Sequence, residues 1–124
     1  MKRYLPLVLL LTACGKGPDF SGTYTGLETG SQNGTNFSQQ VTLILSQTDK
    51  AITGSFAAGA GNTGSVTGTT DGSGAATFTI TQTSGNCTGS LKGTGTLSDK
   101  TLSASIGGTM SCGNVTANLS LTKP

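Results

Sequence analysis

Apolar and polar residues alternate with a period of two through most of this chain. No stretch beyond Pro18 carries a 3.6-residue period of useful length. Phe20, Gly22, Tyr24 and Gly26 fall on one face, with Ser21, Thr23 and Thr25 on the other. Val41, Leu43 and Leu45 alternate next, then Ile52, Gly54 and Phe56, then Val66, Gly68 and Thr70, then Ala76, Phe78 and Ile80. Cys87, Gly89, Leu91, Gly93, Gly95 and Leu97 share a face, as do Leu102, Ala104, Ile106, Gly108 and Met110. Val115, Ala117, Leu119 and Leu121 close the chain. Eight strands with short connections predict an all-β fold, an antiparallel up-and-down meander that removes its edges by closing into a barrel. The alternative is a two-sheet β-sandwich. Residues 28–36 and 57–64, polar or Gly-rich, read as loops, and residues 83–86 as a turn. Asp71-Gly72-Ser73 reads as a three-residue hairpin loop with a G1 bulge. No proline interrupts residues 19–123, which suits a continuous sheet.

Two segments echo each other. Leu45-Ser46-Gln47-Thr48-Asp49-Lys50-Ala51-Ile52 parallels Leu97-Ser98-Asp99-Lys100-Thr101-Leu102, each an Asp-Lys turn between aliphatic residues. If Asp99-Lys100 is a two-residue loop, Leu97 faces Leu102, Gly95 faces Ala104, Gly93 faces Ile106, Leu91 faces Gly108 and Gly89 faces Met110. Cys87 then faces Cys112 without adjustment, in a non-hydrogen-bonded pair with Cα atoms about 4.5 Å apart. That lies within disulfide geometry. The closed loop would be worth roughly 3.5 kcal/mol in the chain-entropy model.

The amino terminus has a different character. Lys2 and Arg3 precede an apolar run at residues 5–11 broken only by Pro6. The run is shorter than the roughly 20 residues that span a bilayer and has the layout of a secretory signal. Leu11-Thr12-Ala13-Cys14 resembles the bacterial lipobox. The resemblance implies diacylglycerol transfer to the Cys14 thiol, cleavage before Cys14 and acylation of the new amino terminus. It divides the chain into a signal peptide (1–13), a lipidated tether (14–18) and a barrel domain (19–124). It also implies a protein lipid-anchored in the cell envelope. Gly15, where an Asp would signal retention in the inner membrane, points to the outer membrane in a Gram-negative cell. With Cys14 taken by lipid, the odd count of three cysteines resolves into one anchor and the Cys87–Cys112 pair. The four residues after Cys14 reach at most about 14 Å, which holds the domain close to the membrane surface.

From Cys14 onward the five lysines are balanced by Asp19, Glu28, Asp49, Asp71 and Asp99, so the formal charge of +2 belongs to the leader. A neutral domain without a basic stripe has no electrostatic footprint for nucleic acid. The chain has no histidine, which excludes a Ser-His-Asp arrangement and leaves a metal site poorly supplied. The aspartates sit in turns, where Asp caps its own backbone, and no paired carboxylates or phosphate loop occur. No catalytic residue, cofactor or metal ligand is expected, and the protein is read as a non-enzyme.

The Gly-Thr-rich strands, such as Val66-Thr67-Gly68-Thr69, resemble those of small avidin-like and lipocalin-like barrels and of bacterial lipoproteins. Gly22-Thr23-Tyr24 loosely matches the lipocalin Gly-x-Trp signature, but the chain has no tryptophan and no ligand of either family carries over. The inward-facing glycines 22, 26, 54, 68, 89, 93, 95 and 108 suit tight curvature, or else a cavity lined by backbone. Two functional readings follow. The first is a structural or interaction module whose Thr/Ser surface meets envelope proteins or polysaccharide. The alternative is a barrel binding a small apolar ligand or glycan, with Tyr24, Phe56 and Phe78 as lining residues. A lumen filled by side chains favours the first, and an apolar cavity favours the second.

Overall fold

The computed structural model describes residues 18–59, 61–85 and 87–124. The leader and Cys14 lie outside the described residues. Eight strands follow one another: β1 (Gly22–Gln32), β2 (Thr35–Thr48), β3 (Ala51–Ala58), β4 (Asn62–Thr70), β5 (Ala75–Ser84), β6 (Gly89–Ser98), β7 (Thr101–Met110) and β8 (Gly113–Thr122). Each pairs antiparallel with its successor, and β1 pairs with β8, so one sheet closes on itself. This is the up-and-down barrel, and the two-sheet alternative falls. Directly opposed residues run from Gly22 through Leu45, Gly54, Val66 and Ile80 to Leu91; the β6–β7 register of Lys92 opposite Gly107 carries the line on to Gly108, which opposes Val115. The circuit returns to β1 at Gln32, ten residues further along. That stagger is what tilts the strands of a closed barrel.

The connections differ from expectation in instructive ways. Residues 28–36 are not a loop: β1 and β2 run through them and turn at Asn33-Gly34 alone. Both turn residues have positive φ, 49° and 82°, the signature of a type I′ hairpin turn, for which Asn-Gly is the favoured pair. Residues 57–64 likewise contract to a three-residue connection, residues 59–61, where Gly59 and Gly61 take positive φ. The turn after β4 is longer than three residues: Thr70 opposes Ala76, with Gly72 and Gly74 both at positive φ. Asp99-Lys100 has the two-residue form expected, Ser98 opposing Thr101, and Asp49-Lys50 shares it, Thr48 opposing Ala51, with Asp49 and Asp99 at φ 56° and 59°.

The β6–β7 register is the one that places the cysteines together. Leu97 opposes Leu102, Gly93 opposes Ile106 and Gly89 opposes Met110. Pairing lapses between Gly89 and Lys92, and there Gly108, expected inward, is exposed. Beyond the strand ends, Cys87 and Cys112 stand at disulfide distance, their Cα atoms 5.1 Å apart.

Side chains at alternate positions fill the interior, and large residues sit against small ones. Phe78 is flanked by Gly68 on β4 and Gly93 on β6. A Cβ on Gly95 would stand 2.9 Å from the Phe78 ring. The inward glycines therefore serve close approach of strands, and Phe78 occupies the space they leave. Outward positions are mostly Thr and Ser, with Leu27 and Ile44 the exposed large apolar residues among those described.

Candidate functional site

The barrel has two unlike ends. One end receives the chain at Pro18 and carries the Asp49-Lys50 and Asp99-Lys100 turns, the β4–β5 loop and the carboxyl terminus. It is plugged. Phe20 is fully buried and packs edge-on against Phe78, ring centroids 5.9 Å apart. The Phe20 carbonyl accepts the buried Tyr24 hydroxyl at 2.9 Å, and its amide donates to Gln47 Oε1 at 2.8 Å. Lys123 Nζ closes the seam between the two termini by donating to the carbonyls of Asp19 and Ser21, both at 2.8 Å, and it lies 5.3 Å from the centre of the Tyr24 ring. Burial, and secondarily the charge of Asp19, pushes the Tyr24 phenol up to about 12.

The middle of the barrel is packed. Leu43, Val66, Phe78, Ile80, Leu102, Ala104, Ile106 and Leu119 surround a void of only about 10 Å³, too small for a ligand.

The opposite end opens into a cavity of about 210 Å³. Apolar side chains make up about half of its wall: Phe37, Phe56, Ile80, Leu91, Ile106, Met110 and Val115. Gln32, Ser38, Gln39, Asn62 and Gln82 supply polar groups, and Glu28 is its one ionisable side chain among the described residues. Glu28 is 4 % exposed. It is carried inward by the same alternation that buries Tyr24, opposite Gln39 on β2 and Leu119 on β8. Gln39 Nε2 donates to Glu28 Oε1 at 2.7 Å, and Asn62 Nδ2 donates to Gln39 Oε1 at 3.5 Å. Burial raises the Glu28 carboxyl above its ordinary range, and the Gln39 hydrogen bond offsets part of that rise.

The rim is cross-tied. Asn33 Nδ2 donates to the Cys112 carbonyl at 2.7 Å, and the Asn33 and Asn114 backbones are linked at 2.9 Å, joining the β1–β2 and β7–β8 turns. The cysteine pair and the Ser111 amide, donating to the Thr88 carbonyl at 2.8 Å, join the β5–β6 connection to the same turn. Gln82 Nε2 donates to the Cys87 carbonyl just below it. Such ties hold the mouth in shape before anything enters, which lowers the ordering cost of binding.

A larger hollow, about 680 Å³, lies on the outer wall across β4–β8. It is a shallow surface where Ala75, Gly95 and Ala104 thin the wall among Thr69, Thr77, Thr94, Ser103 and Ser105. It offers hydroxyls without a buried charge or an aromatic platform, and the mouth is the better-built site.

The three aromatic residues expected to line a site are thus divided. Phe56 borders the mouth, while Phe78 and Tyr24 belong to the packed interior. Glu28 falls in the segment that its polar and glycine residues mark as a loop, and Phe37 and Gln39 lie just past it. The Asn33-Gly34 pair, with inward positions continuing through Glu28 and Gly30, is the signal that exposes them. Cys14 lies outside the described residues. No family profile, curated protein or solved structure matches the chain.

Proposed function

We propose that this protein is a cell-envelope lipoprotein, held to a membrane by acyl chains on Cys14, that acts without catalysis as an interaction module. In a two-membrane cell Gly15 directs it to the outer membrane. The observation that carries the reading is the polarity of the barrel. The chain enters at the plugged end, so an anchor a few residues upstream of Pro18 places that end toward the bilayer and the open mouth away from it. Ten-residue strands rising about 3.3 Å per residue and tilted about 40° stand about 25 Å tall. The mouth would then face outward about 25–40 Å from the membrane, on a trunk whose filled centre makes it a rigid stand.

Two measurements test this. Cells fed an alkyne-bearing fatty acid should label the protein, and Cys14→Ser should abolish the label and release the protein from membranes. Photo-crosslinkers placed at the rim, at Gln32 or Ser38, should capture envelope components, whereas the same groups at Lys50 or Lys100 should capture lipid. An unlabelled wild-type chain would refute the anchor, and the opposite crosslinking pattern would refute the orientation.

A further inference from the structure

We propose that the mouth of the barrel is a binding site for a small organic cation, an ammonium group carried on an apolar body about the size of one aromatic ring, with Glu28 as its counter-charge. This goes beyond the anchoring and orientation above and does not depend on them.

The argument starts from the cost of the carboxylate. A charged group taken out of water is expensive to hold unless a partner compensates it. Glu28 is 4 % exposed, and its one side-chain hydrogen bond among the described residues comes from a neutral amide, Gln39 Nε2 at 2.7 Å. No lysine or arginine lines the cavity among the described residues. Glu28 lines the cavity, so the missing positive charge has room to arrive there as a ligand. Gln39 is in turn steadied by Asn62, which fixes the direction in which the carboxylate presents itself.

Size and wall chemistry define the body of that ligand. A dry cavity of about 150 Å³ accommodates benzene. The 210 Å³ here takes a ring with a short side arm and excludes a lipid or an oligosaccharide. Phe56, Ile80, Leu91 and Ile106 give the ring an apolar seat. Phe37, half-buried at the rim, offers a π-face to a cation on its way in.

Protons compete with such a ligand. The groups facing Glu28 from β2 and β8, Gln39 and Leu119, are neutral, and no second titratable side chain lines the mouth among the described residues. Binding should therefore weaken in a single step on acidification, as Glu28 takes up its proton. Because burial raises that carboxyl, the step begins above the ordinary glutamate range.

The test uses the full chain and isothermal titration calorimetry with 2-phenylethylammonium and benzylammonium. Neutral benzyl alcohol and methylammonium serve as controls. Both aromatic amines should bind in the sub-millimolar range, and benzyl alcohol, which lacks the charge, and methylammonium, which lacks the ring, should each bind about tenfold or more weaker. Glu28→Gln keeps the shape and should lose about tenfold for the amines while binding benzyl alcohol unchanged. Circular dichroism of this variant verifies its fold, and the acid-side loss of amine binding by the unsubstituted chain gives a readout that needs no variant. Equal binding of benzyl alcohol and benzylammonium, full amine affinity in Glu28→Gln, a flat pH profile, or no heat from any amine up to about 10 mM would each overturn the proposal.

Discussion

Gly93→Ala is the sharpest test of how this barrel is built. Gly93 lies between Phe78 on β5 and Ile106 on β7. A Cβ added there would stand 2.7 Å from the Ile106 Cα and closer still to the Ser105 carbonyl oxygen. Both are backbone atoms of the neighbouring strand, so no rotamer change relieves the overlap. Strand β7 must move outward, and the ladder and the Phe78 contact move with it. Overpacking of this kind costs about 1–3 kcal/mol, against a gain of about 0.4–1 kcal/mol from stiffening the unfolded chain. The expected net is a loss of about 1–2 kcal/mol. Gly107, one strand over on the outer face, is the matched control: the nearest atoms to its added Cβ are 3.4 Å and 3.5 Å away, ordinary contacts. Gly107→Ala should therefore be neutral or gain a few tenths of a kcal/mol. Urea unfolding decides it. With m near 1.5 kcal/mol/M, Gly93→Ala should lower the midpoint by about 1 M and Gly107→Ala should leave it in place. Equal midpoints for the two variants would refute the claim that inward glycines are dictated by strand approach.

Other expectations are independent of that one. Reducing the Cys87–Cys112 pair opens a loop with a sequence separation of 25 and should cost about 2–3.5 kcal/mol, lowering the melting temperature by about 10–15 °C; a melting curve unmoved by dithiothreitol counts against it. Glu28 holds its proton more tightly folded than unfolded, so its contribution to stability is fully present below the ordinary glutamate pKa and is lost as pH rises through the raised folded value. Glu28→Gln should remove that slope and be no less stable than the parent at pH 7, as read from unfolding midpoints across pH 4–8. Tyr24→Phe removes the buried hydroxyl bond to the Phe20 carbonyl and should cost about 1 kcal/mol in denaturant unfolding. In the parent, phenolate absorbance from Tyr24 should appear near 12, and stability should fall as pH climbs from about 10 toward it; ionisation near 10 with the fold intact would contradict the burial of this ring.

The legibility of this molecule follows the reach of the interactions involved. Strand count, the Asp-Lys hairpins and the meeting of Cys87 with Cys112 are local or nearly so. A period-2 pattern plus a two-residue turn determines which residues oppose each other, because a one-residue slip would reverse every side chain. Residues 28–36 depart from the local pattern for a related reason. Glycines and polar residues at inward positions look like a loop when burial is the only guide, and the Asn33-Gly34 turn outweighs them. Glu28 could not be recognised from neighbours in the chain, since a lone Glu among Gly and Thr reads as a solvated strand position.

What the amino-acid pattern determined alone was an all-β meander, its two Asp-Lys hairpins and the meeting of Cys87 with Cys112, since each depends on residues a few positions apart or on a single hairpin. Closure was decided only in three dimensions. The pairing of β1 with β8 joins residues almost a whole chain apart, and its ten-residue stagger brings Glu28 of the first strand beneath a rim tied by Asn33, Cys87 and Cys112. The same closure plugs one end with Phe20 and leaves the other hollow. The cross-section is set by all eight registers together, and no single strand carries that information.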